Sequence, residues 1–298
     1  MNDLKALVKR NTKVFFKDKA MFFTSLVTPL ILLVLYATFL AELYRDSFAQ
    51  SLPEGVPIAD KLLDGTVGGQ LLSSLLSVCC VTVSFCSNML SVTDKVTGVR
   101  ADLTVTPVRH ETLALSYYLS TLLATLIICF AAFGAGMIYL AVVGFYLSVT
   151  DVLLIVLDIF LLVMFGTALS SIINFFLSSQ GQISAVGTII SAGYGFICGA
   201  YMPISQFAEG VQTAVSFLPG TYATSLFCNH CLRGVFAEMA SDGIPSEAIE
   251  SMRDAVDCNL YFFGEKVEMW TSYLVLGGGV LLLMLVYLAM NLLKRRAK

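Results

Sequence analysis

Six long apolar runs follow one another along the chain, separated by polar stretches of unequal length. A helix needs about 20 residues to cross the hydrocarbon core of a bilayer. The runs are continuously apolar, whereas the strands of a membrane barrel alternate between apolar and polar residues. The pattern therefore predicts an all-α polytopic membrane protein with six transmembrane helices, at Ala20–Ala41, Val67–Leu90, Leu113–Val143, Val152–Phe176, Ile183–Tyr201 and Met269–Leu293.

Composition excludes a soluble protein. Of the 298 residues, 57% are apolar and only 13% are charged, whereas a soluble domain carries about 25% charged residues. No lysine or arginine lies between His110 and Arg233, so a soluble fold would lack a charged surface over this stretch. The net charge of −3 is too small to indicate a nucleic-acid partner. This composition requires contact with membrane lipid.

Basic residues are divided unequally between the two sides of the predicted spans. Thirteen precede the first span, lie between the second and third spans, or follow the last span, and five lie on the other side. Loops that face the cytoplasm carry the excess of lysine and arginine. We therefore expect a multi-pass protein of the plasma membrane with both termini in the cytoplasm, and we expect a bacterial source.

Residues 1–19 predict an amphipathic helix in front of the first span. At about 100° per residue, Leu4, Leu7 and Phe15 share one face, and Lys5 and Lys9 lie on the opposite one. A helix of this kind lies in the inner membrane interface. Two roles are open: an anchor that fixes the topology, and a lever that passes force from a cytosolic partner to the first span.

The segment 202–268 is the largest outside the predicted spans, with nine acidic and three basic residues. Its first half is apolar but contains Pro203 and Pro219, which predicts short re-entrant helices rather than a seventh span. Its second half, from Ala237 to Tyr261, predicts a polar extracellular cap with a helix that starts near Ser246. The first outer loop, Glu42–Thr66, is shorter and also acidic.

The polar loop 91–111 lies on the basic side of the predicted membrane. A glycine at position 98 permits a tight turn, and a proline at 107 ends or redirects a short helix. The loop contains an acidic residue, a glycine and then Leu-x-x-Thr-Pro, here Asp94, Gly98, Leu103, Thr106 and Pro107. This arrangement resembles the cytoplasmic coupling helix of ABC-2 type transporter permeases.

The resemblance extends over the whole chain, through Arg10–Leu33, Gly195–Phe207 and Phe217–Leu226. It implies one ABC-2 type transmembrane domain over 1–298, with the fold of a type V exporter, that works beside a second permease copy or a homologous permease. It also implies an ATP-binding cassette subunit that is coupled to the loop through Asp94, Lys95, Gly98, Arg100, Asp102, Leu103, Thr106 and Pro107.

The chain contains no G-x-x-x-x-G-K-[ST] phosphate-binding loop. ATP and Mg²⁺ would therefore be bound by the partner subunit. We expect no cofactor and no catalytic residue in this chain, which would be a transport subunit and no enzyme by itself. His110 and His230 are predicted on opposite sides of the membrane, so no catalytic cluster is expected from them.

In the family that the chain resembles, the second and fifth spans surround the translocation path. Asp158 lies within the fourth span, where a charge costs at least about 2.5 kcal/mol, so it either hydrogen-bonds to another helix or contacts substrate. Gly195 and Gly199 form a G-x-x-x-G pattern that permits close helix packing, within the subunit or at a dimer seam. The candidate path residues are Phe85, Met89, Asp158, Gly195, Phe196 and Gly199.

Three cysteines, Cys228, Cys231 and Cys258, lie in the predicted outer segment, where oxidation is permitted. We expect a disulfide from Cys258 to Cys231 or, alternatively, to Cys228, and free thiols are the next hypothesis. Zinc bound with His230 is disfavoured because a structural site takes four ligands, which would need every one of these residues. No metal site is therefore predicted.

The favoured function is the membrane-spanning permease of an ABC exporter, which moves an amphiphilic substrate such as a drug, a lipid or a hydrophobic peptide outward. A polysaccharide-exporting ABC permease is one alternative. A secondary transporter or channel without an ATPase is another. A secondary transporter or channel is disfavoured because the predicted membrane interior contains one acid and no histidine or basic residue. The sequence also has no detectable inverted repeat.

Overall fold

A computed structural model describes residues 2–50 and 58–296, and nearly all of them are helical. Within these ranges the helices are α1 (Asn2–Lys17), α2 (Lys19–Leu35), α3 (Ala41–Gln50), α4 (Asp60–Val96), α5 (Val99–Val105), α6 (His110–Val143), α7 (Val149–Phe176), α8 (Gln180–Ile197), α9 (Glu209–Val215), α10 (Pro219–Ser241), α11 (Ser246–Ala255) and α12 (Met269–Arg296). A π-helical turn (Tyr36–Leu40), a 3-10 turn (Ile204–Gln206) and the strands β1 (Tyr261–Phe262) and β2 (Glu265–Lys266) complete the elements. The all-α prediction therefore holds apart from one short hairpin.

Among residues 2–50 and 58–296, five helical segments are long and apolar enough to cross a membrane. One of them coincides with the predicted last span, and the other four contain the first four predicted spans and extend beyond them. The chain is thus a multi-pass membrane protein. The segments are Lys19–Asp46, Asp60–Val96, His110–Val143, Val149–Phe176 and Met269–Leu293.

The predicted fifth span, Ile183–Tyr201, is not among these five. Helix α8 occupies most of this stretch, but it has only 18 residues, and these include several glycine, serine and glutamine residues. The helix ends at Ile197, and Gly199 then adopts a left-handed conformation with φ of +79°. A sixth crossing at α8 is therefore not confirmed and stays a prediction.

Helix α4 is the centre of the bundle and packs against α2, α6, α7, α8 and α10. Its many small side chains let neighbouring helices approach closely. Several of its hydroxyl groups donate within the helix: Ser77 to the carbonyl of Ser73 at 2.8 Å, and Ser84 to that of Cys80 at 2.7 Å. Nearly every side chain of α4 is consequently buried.

Helix α10 is the main departure from the predicted outer segment. It begins with Pro219 at a position that favours proline, and it ends just before Gly243, whose φ is +83°. It packs against α4, α7 and α12, so that residues 228–231 lie inside the bundle rather than outside it. The sequence predicts short re-entrant helices here. Helix α9 is short, whereas α10 is a long helix of the core, and re-entry into the membrane stays a prediction.

The first span contains the π-helical turn Tyr36–Leu40 between α2 and α3. A π turn holds one residue more than an α turn. On the far side of this turn, Tyr44 and Phe48 follow Tyr36 into the core. The three rings form a stack, with centroids 5.7 Å apart between the two tyrosines and 6.2 Å between Tyr44 and Phe48.

The predicted outer loop Glu42–Thr66 is largely helical, because α3 covers its first part and α4 its last part. Residues 51–57 lie outside the described ranges. Arg45 of α3 joins the two helices through ion pairs of 2.7 Å each with Asp60 and Asp64.

The bundle has two distinct ends. We call the end that holds α1, α5 and the α7–α8 turn the α5 end. The opposite end is the cap end, where α11 begins at Ser246 as predicted and leads to the hairpin. The two strands of the hairpin are antiparallel, with Tyr261 opposite Lys266 and Phe262 opposite Glu265.

Asp257 ties the cap to the loop after α8. Its carboxylate accepts hydrogen bonds from the backbone amides of Ile204 and, at 3.4 Å, of Ser205. Burial raises the pKa of Asp257 to about 7, although these two amides favour the charged form. The cap is therefore joined to the end of α8 by a buried carboxyl group.

Candidate functional site

The loop between α4 and α6 forms the short helix α5, bounded as the sequence predicts. Gly98 has φ of +85°, a conformation that suits glycine, and it separates α4 from α5. At the other end, Thr106 is extended before Pro107, which disfavours helical geometry in the residue that precedes it. The turn and the stop are therefore both local properties of the sequence.

Asp94, at the end of α4, links three parts of the α5 end. It pairs with the guanidinium of Arg10 on α1, where the second contact, from Nη2 to Oδ1, is 3.3 Å. The hydroxyl of Tyr117 on α6 also donates to Asp94 at 2.7 Å. The hydrogen bond to Asp94 raises the pKa of Arg10 above its ordinary value. Asp94 is buried, so α1, α4 and α6 meet on one carboxylate.

The helix α1 is amphipathic as predicted, but its apolar face contacts protein. It packs mainly against α6. Phe15 and Asn11 are buried there, and Asn11 lies 3.5 Å from the hydroxyl of Ser116. The exposed side carries Lys5, Lys9, Lys13 and Lys17. The contact with Asp94 and α6 favours the lever over the simple anchor.

Lys95, the next residue, binds the end of α7. Its ammonium group donates to the carbonyl oxygens of Asn174 and Phe175 at 3.1 Å and of Leu177 at 2.7 Å. A cation at a helix C-terminus satisfies carbonyls that have no partner in the helix and interacts favourably with the helix dipole. The base of the loop is thus fixed to α7 as well.

Two further residues hold α5 against the bundle. The guanidinium of Arg100 lies over the ring of Tyr117, 5.9 Å from its centroid, in a cation–π contact. Leu103 packs against a small cluster formed by Leu90, Leu113 and Tyr117. The inward side of α5 is therefore attached by one cation–π contact and by apolar packing.

The remaining predicted coupling residues face away from the bundle. Asp102, Thr106 and Pro107 are exposed. Between them lies Val105, which is 88% exposed. The predicted coupling set is thus divided into an anchored side and a free side.

Four candidate residues of the translocation path are buried inside this chain. Phe85 and Asp158 lie in the core of the bundle. Gly195 is covered by the ring of Tyr201, and Gly199 lies against the loop after α8. None of these four presents a side chain to an open surface.

The other two candidates lie on or near α8. Met89 is half-buried, and its methyl group fills the space beside Gly187. Phe196 is 51% exposed and packs edge-on against Tyr201, with ring centroids 5.1 Å apart. The structure therefore does not bring the six residues together on one surface.

A cavity of about 610 Å³ lies beside Phe196, between the first span and the end of α8. Its walls are mainly apolar, with a few polar side chains at the cap end. The lining includes Phe39, Tyr44, Phe48, Phe196, Tyr201, Ser191, Ser205 and Gln206.

Asp158 forms a buried polar cluster that the sequence did not predict. Its Oδ2 lies 2.5 Å from Nδ1 of His230 on α10, and the hydroxyl of Tyr273 on α12 donates to its Oδ1 at 2.8 Å. Asp158 and His230 are both fully buried. Of the two roles considered for Asp158, the helix–helix hydrogen bond is the one present. The expectation of an interior without histidine is wrong.

A second acid–base pair joins the same two helices. Asp151 at the start of α7 accepts from Ser148 in a capping box and lies 2.5 Å from Arg233 of α10. Gly234 makes this approach possible, because a Cβ there would lie 1.8 Å from the carbonyl of Tyr146. Helices α7 and α10 are therefore joined at two levels.

All eight cysteines are buried free thiols in this structure. The side chain of Cys258 contacts Cys228, whose sulfur lies 3.3 Å from the hydroxyl of Ser73. This contact matches the alternative pairing rather than the one with Cys231, and the disulfide itself stays a prediction. Within the described ranges, no three histidine, cysteine or acidic side chains are placed to hold a metal ion.

These features define a helical multi-pass membrane protein that exposes a short, firmly attached helix on a loop between two spans. The family model of the ABC-2 type transporter matches residues 2–230. The chain belongs to the ABC-2 type transporter family and is the membrane component, or permease, of an ABC transporter. Comparisons with curated proteins and with solved structures gave no match.

Proposed function

We propose that this chain is the permease of an ATP-driven exporter and that α5 passes the movement of a separate ATP-binding cassette subunit to the bundle. The two-sided attachment of α5 supports this role. Asp94 and Lys95 fix the base of the loop to α1, α6 and α7. Asp102, Val105 and Pro107 remain free for a partner.

The attachment determines where a force on α5 would go. A partner that pushes on the free side would move Arg100 and Leu103, which contact Tyr117 of α6. The same force would act on Asp94 and, through the ion pair, on Arg10 of α1. In this proposal α1 is a lever that connects the partner to the first span.

A second permease, either another copy of this chain or a homologous one, would pack along α8. Helix α8 contacts α4 on one side. Its other side exposes Ala185, Ile189, Ala192 and Phe196, a spacing that places all four on one helix face. We place the translocation path along this face, next to the 610 Å³ cavity.

The substrate class follows from the lining of that cavity. Aromatic and aliphatic walls with a few hydroxyl and amide groups suit an amphiphile such as a drug, a lipid or a hydrophobic peptide. A polysaccharide would need a wider and more polar path. The lysine-rich face of α1 lies at the α5 end, which supports a cytoplasmic position for this end and for both termini in a bacterial plasma membrane.

A charge reversal on the free side of α5 tests the coupling role. Asp102→Lys should lower ATP-dependent transport of a fluorescent amphiphile into inverted vesicles at least about tenfold, because interface charges are arranged to be complementary. The ATP-binding cassette protein that co-purifies with the chain should be recovered in smaller amounts. Glu247→Lys is the matched control, since Glu247 is an exposed acid of α11 at the cap end, away from the proposed coupling surface.

Two results would contradict the proposal. One is that no ATP-binding cassette protein co-purifies with the wild-type chain. The other is that Asp102→Lys transports at the wild-type rate. Transport of a labelled polysaccharide in place of the amphiphile would keep the coupling role and change the substrate class.

A further inference from the structure

An aromatic patch lies exposed at the cap end. It consists of Phe217, Phe262 and Phe263, and Trp270 at the start of α12 is exposed as well. The first three rings meet edge-on, with centroids 4.8 to 6.3 Å apart. Phe217 is 62% exposed, Phe263 75% and Trp270 70%. Side chains of this size rarely stay open to water in a group.

The turn of the hairpin is built around one of these rings. Phe263 and Gly264 connect the two strands, with φ of +50° and +84°. A two-residue turn of this type favours Asn-Gly, and a bulky residue in the left-handed region is an outlier. The phenylalanine is therefore not explained by the turn, which points to a role for its exposed ring.

The hairpin has a polar side that is attached to the cap. The hydroxyl of Tyr261 donates to Asp254 at 3.0 Å, and the ammonium group of Lys266 pairs with Glu250. Both carboxylates belong to α11. These contacts hold the hairpin in place, and Phe263 at its tip contacts the rings of Phe217 and Phe262.

The base of the hairpin lies at the level of the last span. Leu260 packs in a cluster with Tyr222 of α10, and Val267 and Val275 pack against the same cluster. Val275 lies in the second turn of α12, a helix apolar and long enough to span a membrane. The base of the hairpin therefore packs beside the first two turns of α12.

We propose that the aromatic patch inserts into the lipid leaflet on the cap side and anchors the hairpin there. The patch is continuous in sequence with the exposed face of α12, where Trp270 is followed by Leu274 and Leu281. Aromatic side chains concentrate at the membrane–water interface. This inference does not depend on the transport role, because it concerns only the position of the cap relative to lipid.

Fluorescence quenching in liposomes tests the anchor. Trp270 is the single tryptophan of the chain, so Trp270→Phe removes the tryptophan fluorescence of the wild-type protein. Adding Phe263→Trp places one reporter at the hairpin tip. Adding Glu247→Trp instead, at an exposed position of α11, gives the matched control. Each full-length variant is reconstituted in phosphatidylcholine with brominated acyl chains and titrated with iodide in separate samples.

The reporter at 263 should be quenched by the brominated lipid about threefold more than the reporter at 247, with the reverse order for iodide, as an interfacial side chain requires. Iodide quenching at 263 equal to that at 247 would place the tip in water. Protection from both quenchers would place it against protein. Either result overturns the proposal. If Phe263→Trp does not fold, Phe217→Trp in the same background reports on the same patch.

Discussion

The two ends of the bundle differ in how deeply their charged and titratable side chains are buried. At the α5 end, the side chain of Arg10 is 32% exposed while it pairs with Asp94. Towards the cap end, the contact between Asp158 and His230 is fully buried, and the carboxyl group of Asp257 is buried too. Both ends join elements that are distant in sequence, but the contact between Asp158 and His230 excludes water. The pairs of Arg10 with Asp94 and of Arg233 with Asp151 each keep one exposed partner.

This difference indicates a division of mechanical roles. An ion pair near water can open at small cost because each partner is solvated when it separates. A buried pair that loses one partner leaves a charge without compensation. The buried contact between Asp158 of α7 and His230 of α10 therefore fixes a rigid frame. The contacts around Asp94, whose partner Arg10 is partly exposed, form a joint that can change its partners during a transport cycle.

The largest expected effect comes from breaking the buried pair. Asp158→Ala should lower the free energy of unfolding by about 3–5 kcal/mol. Asp102→Ala, which removes an exposed acid, should change it by less than about 0.5 kcal/mol. Thermal unfolding of the purified chains in detergent measures both. The double variant Asp158→Asn/His230→Gln should lose less than the two single changes combined, since a neutral pair can still hydrogen-bond.

An equal and small loss for Asp158→Ala and Asp102→Ala would remove the distinction between frame and joint.

A pH dependence of intermediate size is expected from Asp257. Burial raises its pKa from 3.8 to about 7 in the folded protein. Its contribution to stability is therefore fully present below pH 3.8 and is lost as the pH rises to about 7, a difference on the order of 4 kcal/mol. Asp257→Asn is neutral at every pH and should flatten this decline.

Unfolding temperatures measured between pH 4 and pH 8 test the sign. Above about pH 7, Asp257→Asn should unfold at the wild-type temperature or higher. Asp102→Asn should keep the wild-type slope. A variant that is less stable than the wild type only at high pH would mean that the charged carboxylate is the stabilising form.

The smallest effect on stability is expected at the joint. Asp94→Asn should cost about 1 kcal/mol, because Arg10 can turn to water. Its effect on function should be larger: ATP hydrolysis by the complex should continue while transport falls. Tyr117→Phe, which removes only one donor to Asp94, is the milder comparison. Normal transport by Asp94→Asn would show that the contact is structural only.

Much of the fold was predictable because its causes are local. Length and hydropathy alone identify five of the spans, and Met269–Leu293 agrees to the residue. Gly98 and Pro107 delimit α5 through their own backbone preferences. The division of the coupling residues into an anchored and a free side was not predictable, since it depends on Arg10 and Tyr117, which come from other helices.

The buried cluster was missed because α10 does not have the composition of a core helix. Its cysteines, histidine and arginine follow a segment with two prolines, and this pattern favours an outer loop. One signal was available. Asp151 and Asp158 lie seven residues apart on α7, and His230 and Arg233 lie three apart, so each pair shares one helix face. Two matching acid and base pairs on two helices predict the contacts that the structure has.

The π turn at Tyr36–Leu40 changes how the first span aligns with a span that is an uninterrupted α-helix. Since it accommodates one additional residue, all positions after Leu40 are rotated by about 100° relative to an uninterrupted α-helix. An alignment with a straight first span therefore needs a one-residue gap at this turn. Without the gap, Tyr44 and Phe48 would be matched to lipid-facing positions, and a chimaera spliced there would turn its aromatic stack outward.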